Sequence, residues 1–108
     1  MAERRVVRII PRRAIPVEIM SADMVTSEGI LANVSELGAC IWTDRILAEG
    51  DTVVLGLGFS DEKPFHTAGC VVWAERGETL SRHYRCGLRW PFSAGSHREM
   101  LLELIASC

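Results

Sequence analysis

Short segments in which apolar and polar residues alternate recur along the chain, each closed by turn signals within about eight to twelve residues. Ile15, Val17 and Ile19 face one way while Pro16 and Glu18 face the other. Ile30, Ala32 and Val34 alternate with Leu31, Asn33 and Ser35, and the chain then returns over Ala39 to Thr43. Val53, Leu55, Leu57 and Phe59 form a fourth run, Thr67 to Trp73 a fifth, and Tyr84, Cys86, Leu88 and Trp90 a sixth. Between them lie a polar segment from Ser21 to Gly29, turns at Ser35 to Gly38, Ala48 to Asp51 and Ser60 to Pro64, and a polar loop from Glu75 to Arg82. A period of two reports side chains pointing to opposite faces of a pleated strand. No helical pattern intervenes to suggest parallel crossovers, so the sequence predicts six antiparallel strands in a barrel or sandwich. Past Pro91 the period lengthens. Ser96 and Glu99 form a capping box, and Leu101, Leu104 and Ile105 share one face of a short closing helix over about 96–106.

The 108 residues suit one domain with short ends and no attached output domain. Hydrophobic residues at 48% and charged residues at 24% are those of a folded globular chain, which argues against disorder. No apolar run is long enough for a membrane helix or a signal region, so the expected location is the cytoplasm. Cys40, Cys70, Cys86 and Cys108 lack zinc or redox spacing and are expected to be reduced packing residues, with no metal site. His66, His83 and His97 are scattered, and none stands beside a nucleophile motif, so no enzyme and no cofactor are expected. Trp42, Trp73 and Trp90 can stack on bases, but on strands the commoner use is core burial.

Charge is unevenly placed. Residues 1–13 hold Arg4, Arg5, Arg8, Arg12 and Arg13 against Glu3, a net +4, which leaves −6 on residues 14–108 for a total of −2. Such an arm suits an anionic partner. Within it, Arg8-Ile9-Ile10-Pro11-Arg12 sets two guanidiniums four residues apart, and Pro11 biases Ile10 toward an extended form. The guanidinium fork matches phosphate bidentately and can also meet guanine O6 and N7. Arg4 and Arg8 repeat the spacing, so two registers fit; Arg8 with Arg12 lies nearer the strands. Downstream, Asn33-Val34-Ser35-Glu36-Leu37-Gly38 places an amide and a hydroxyl on one strand face before a glycine turn, a pair able to meet a base edge or a phosphate. In isolation the first motif reads as a solvated tail and the second as an ordinary Asn/Ser turn.

Together, R-x-x-x-R followed about twenty residues later by [DN]-x-S-x-x-G resembles the PilZ domain family. Val71-Val72-Trp73 and Tyr84 to Trp90 resemble that family's late strands, and the closing helix fits as well. The resemblance implies a six-stranded antiparallel PilZ-type β-barrel over residues 14–108 behind an arginine-rich, flexible arm over 1–13. It also implies a receptor for cyclic di-GMP, a bacterial second messenger. By that resemblance Arg8 and Arg12 grip phosphates and guanine, Asn33 and Ser35 contact base and phosphate, Gly38 shapes the turn, and Arg13 is an auxiliary contact. Asn33 stands where Asp is commoner. Val7 stands where some members carry an extra arginine that accompanies a stacked ligand pair, so one ligand or two remains open. On this reading the arm changes conformation on binding and signals to a downstream protein, with the chain a monomer or weak dimer. A PilZ-like adaptor that binds only protein is the alternative. A small nucleic-acid-binding barrel is a further one, against which the acidity outside the arm counts.

Overall fold

A computed structural model describes residues 8–58, 65–77, 84–91 and 96–106. The six runs of alternation become β1 (Pro16–Met20), β2 (Thr26–Val34), β3 (Gly38–Thr43), β4 (Thr52–Leu57), β5 (Phe65–Arg76) and β6 (Tyr84–Arg89), and α1 spans Ser96–Ala106. The strands close a barrel in the order β1-β2-β3-β6-β5-β4, with β4 pairing back to β1 and every pair antiparallel. Closure leaves no open sheet edge. The expected class and strand count are both present. No helix among the described residues is long and apolar enough to cross a membrane.

The interior follows the period of two. Val17 and Ile19 on β1, Val53, Leu55 and Leu57 on β4, and Phe65 and Val71 on β5 all point inward and are buried. Leu101 of α1 is fully buried in the same cluster, and Ile105, one turn on, packs against it, so the helix closes the barrel with one face.

Two strand ends and one point of strand phase differ from the sequence reading, each for a physical reason. β2 begins at Thr26, inside the segment read as polar loop, because its inward residues there are the small Ser27 and Gly29, which carry no apolar signal. β5 runs on to Arg76, so Glu75 is a strand residue; its last two residues, Glu75 and Arg76, are charged and exposed and carry no apolar signal. The third concerns phase. Leu31 pairs with Ile41 but Asn33 with Cys40, so Ala32 is an extra residue, a β-bulge. Leu31 and Val34 therefore both face the core, and the expected grouping of Ile30, Ala32 and Val34 on one face does not hold. Val72 is a second bulge of the same kind, between Val71 paired with Leu88 and Trp73 paired with Gly87. Phe59, Ser60 to Pro64 and His83 lie outside the described residues.

β1 and β2 are joined by a three-residue turn. Met24 donates to the Ser21 carbonyl (3.0 Å), Ser21 donates to the Val25 carbonyl (3.1 Å), and the Asp23 side chain accepts from the Val25 amide (3.1 Å). Met24 carries φ 65°, the left-handed position of such a loop, where Gly or Asn is favoured. Its side chain is 75% exposed and packs on little. Met24→Asn is therefore expected to raise stability by roughly 0.5–1 kcal/mol by relieving left-handed strain. A urea unfolding series checks it, and an unchanged or lowered midpoint counts against the strain.

Candidate functional site

The two bulges bring the site together on the outer face of β2, β3, β6 and β5. Without the extra residue at Ala32, strict alternation from buried Leu31 would send Asn33 into the core; with it, Asn33 faces outward. Val72 does the same for Trp73 after buried Val71. Asn33, Cys40, Gly87 and Trp73 are successive cross-strand partners and form one row across four strands. The Trp73 ring lies across Gly87, where a Cβ would overlap the ring atoms Nε1, Cε2 and Cδ1.

The arm is joined to this row. Ile9 pairs with Val34 through two backbone hydrogen bonds (2.8 and 2.9 Å) and packs against the core, so the strand side of the arm is engaged with the barrel before residue 14. That contact places Arg8 beside Asn33, and its Nη1 donates to the Asn33 Oδ1 at 3.1 Å, joining two motifs 25 residues apart. The acceptor is a neutral amide and, among the described residues, Arg8 meets no carboxylate, so its charge stays available to an anion. A recess of about 310 Å³ opens here, lined among others by Arg8, Ser35, Leu37, Gly38, Trp73 and Arg89. Arg12 and Arg13 are exposed on the arm and are not among its lining residues.

Ser35 and Gly38 build the turn under this recess. The buried Ser35 hydroxyl accepts from the Leu37 and Gly38 amides (3.2 and 3.3 Å) and donates to the Gly38 carbonyl (3.4 Å). The Ser35 carbonyl in turn accepts from the Trp90 indole (3.0 Å), and the Trp90 amide donates to the Leu37 carbonyl (2.9 Å). Trp90, 3% exposed, is the one tryptophan of the three used as core. Trp42 and Trp73 face outward and are half-buried, a correction to their reading as core residues; for Trp73 the bulge at Val72 is the cause.

Gly38 is needed for a different reason than a left-handed turn. Among the described residues the positive-φ positions are Met24 and Gly50. At Gly38 an added Cβ would instead overlap the Leu88 carbonyl across β3 and β6. Sequence reasoning passed over Trp73 and Arg89 as site residues. The signal available for Arg89 was its place, with Arg85 and Gly87, on the polar side of the last alternating run.

A larger hollow of about 410 Å³ lies on the outer face of β1, β2 and β4, lined by Glu18, Glu28 and His66 among others. It holds none of the motif residues, and its paired carboxylates repel an anion, so size is the wrong guide here.

A family model described as the PilZ domain matches residues 2–107. The chain belongs to the PilZ domain family. The isolated PilZ domain with c-di-GMP of YcgR from Escherichia coli superposes with a TM-score of 0.81 at 18% identity, covering 98% of this chain and 91% of that one. A crystal structure of Escherichia coli YcgR in complex with c-di-GMP gives 0.77 at 19%, covering 96% and 45%. The Bacillus subtilis inhibitor of motility MotI/DgrA gives 0.65 at 17%, covering 99% and 51%. This PilZ chain thus spans about half the length of those two longer proteins, and at such identities the likeness is one of fold. No curated protein sequence matches the chain significantly.

Two outcomes follow from the PilZ barrel's packing. Gly38→Ala should lower stability by about 2–4 kcal/mol, because the clash is with backbone that cannot rotate away. A melting curve near that of the parent would remove the close approach as the reason for glycine. Burial pushes the Cys86 thiol up to about 12, with Cys40 adding to the shift. Burial also raises Cys40, against the lowering pull of Arg85 and Arg8. A raised folded pKa means the stability is intact below the unfolded thiol value of about 8.5 and is lost as pH rises toward the folded value. Denaturation against pH should show this alkaline limb, flattened in Cys86→Ala; an unchanged limb would assign it to other groups.

Proposed function

We propose that this PilZ domain is a receptor for cyclic di-GMP, bound in the recess between the arm and the Ser35 to Gly38 turn. The observation that carries the reading is the hydrogen bond from Arg8 to Asn33, which brings the arginine motif and the turn motif to one outward-facing site. The structures of YcgR with c-di-GMP support the choice of ligand, since they share the fold over nearly the whole of this chain.

The chemistry is suited to a guanine dinucleotide. Arg8 and Arg89 set guanidiniums at the recess for phosphate. Asn33 does not line the recess but stands beside it, bonded to Arg8, and its amide can both donate to and accept from a guanine edge. Trp73 offers an aromatic wall of the kind on which bases stack. Gly38 and Ser35 present a turn backbone with no side chain in the way. Arg12 and Arg13 stand on the exposed stretch of the arm, and ligand charge would draw them over the recess. That closure, from Ile10 to Ala14, is the change a partner protein would read.

Calorimetric titration tests the assignment. Arg8→Ala or Arg12→Ala should weaken binding by about 2–4 kcal/mol, since charge-assisted bonds contribute roughly 1.5–3 kcal/mol each. Asn33→Ala should cost about 1–2 kcal/mol. Thermal stability should hardly change in these three variants, because their side chains lie outside the core. GTP and mixed DNA should compete poorly, whereas a simple polyanion site would bind DNA with steep salt dependence. Near-normal binding by the Arg8→Ala, Arg12→Ala double variant would overturn the site. A parent protein that does not bind cyclic di-GMP would overturn the receptor and favour the adaptor.

A further inference from the structure

Next to the row that carries Asn33 and Trp73, and on the same outer face, lies a second one. Trp42 pairs with Arg85, and Arg85 with Glu75, across β3, β6 and β5. Directly opposite residues of antiparallel strands share a face, so these three side chains stand side by side. The Arg85 guanidinium lies 5.4 Å from the centre of the Trp42 ring and 5.5 Å from that of Trp73, within cation–π range of both. Glu75 holds it there: Arg85 Nε donates to Glu75 Oε1 at 3.1 Å, and Nη2 bonds the same oxygen.

Trp73 needs such a restraint. It follows the bulge at Val72, where the sheet ladder is locally broken, and it faces outward with its ring resting on the backbone of Gly87. A half-buried indole on a bulged strand has several rotamers open to it. Arg85 borders the ring on the side away from the recess residues Gly38 and Arg89, because it lies two residues before Gly87 on β6 whereas Arg89 lies two residues after it. The cation, held by its carboxylate, thus closes off one direction in which the ring could swing.

We propose that Arg85 is a positioning residue: clamped by Glu75 and resting on Trp42, it fixes the Trp73 ring as the preformed aromatic wall of the recess. The inference rests on the receptor reading for its effect on ligand, and on geometry alone for its effect on Trp73. A wall already in place spares the ligand the cost of ordering it. Arginine suits the task better than lysine because a planar guanidinium can contact two rings and still donate to a carboxylate.

The experiment compares the full chain with Arg85→Gln, Arg85→Lys, Glu75→Gln, Trp73→Ala and the Arg85→Gln, Trp73→Ala double variant. Near-ultraviolet circular dichroism of the ligand-free proteins reads tryptophan immobilisation, and titration with cyclic di-GMP reads affinity. Arg85→Gln should reduce the tryptophan dichroism and weaken binding about threefold to tenfold, with Arg85→Lys intermediate. In the Trp73→Ala background, Arg85→Gln should cause no further loss, since the residue acts through the ring. Should Arg85→Gln fail to fold, Glu75→Gln, which keeps the guanidinium but frees it, should show the same changes to a smaller degree. Unchanged dichroism would overturn the proposal, and so would an equal loss of affinity with and without Trp73, which would make Arg85 a direct contact. If the parent does not bind cyclic di-GMP, the receptor reading fails, and the dichroism still decides whether Arg85 holds the ring.

Discussion

The amide and the indole of the site both depend on a change of strand phase. β3 and β6 pair without interruption from Gly38 opposite Arg89 to Thr43 opposite Tyr84, and they form the rigid middle of this wall of the barrel. Each flanking strand carries one residue more than its neighbour needs, Ala32 on β2 and Val72 on β5. Each extra residue lets the strand bury an apolar side chain before it (Leu31, Val71) and still turn the next ladder residue (Asn33, Trp73) outward. Because both phase changes fall on the same row, the amide and the indole end on one platform, separated by Cys40 and Gly87. In a bulge-free register Asn33 would enter an apolar core, where an unpaired amide costs on the order of 1–3 kcal/mol. The bulges thus reconcile a continuous core with a polar outer site.

Electrostatics adds direction to that platform. The chain outside residues 1–13 is net acidic, yet the recess is bordered by Arg8 and Arg89, while Glu18 and Glu28 face each other across β1 and β2 in the larger hollow. An anion is therefore drawn to one side of the barrel and repelled from another. Among the described residues Arg8 meets the neutral Asn33 and no carboxylate. Where the family more often has Asp, an ion pair would compete with ligand phosphate for the same guanidinium; the neutral amide positions Arg8 without neutralising it.

The sequence made the strands, the closing helix and both motifs legible because each is written in local pattern: alternation, a capping box, two short spacings. The bulges were not legible, since Ala32 and Val72 are unremarkable residues and the surplus appears only when β2 is counted against β3 and β5 against β6. Trp73 was misplaced for the same reason, because its face follows from a phase that no local rule reports. Gly38 was recognised, but its cause, a carbonyl from a strand fifty residues later, is a tertiary contact. The start of β2 was hidden because a strand whose inward residues are Ser27 and Gly29 has no apolar period to detect. Arg85 was visible only as one more polar residue in the last strand.

The arm shows how tether points can set function. Ile9 is fixed opposite Val34, and Pro16 opposite Ile30, so seven residue steps of arm face four steps of β2. The surplus cannot lie flat along the strand. Pro11 falls in this stretch and has no amide hydrogen to give to a ladder. The stretch between the tethers therefore stands off the sheet, and it is the stretch that carries Arg12 and Arg13. Because both of its ends are held, this stretch is a short loop rather than a free tail, and ordering it costs less than ordering a segment tethered at one end only. The Ile9 tether also seats Arg8 beside Asn33, so the guanidinium nearest the recess is fixed by strand pairing and not by the loop that carries Arg12 and Arg13.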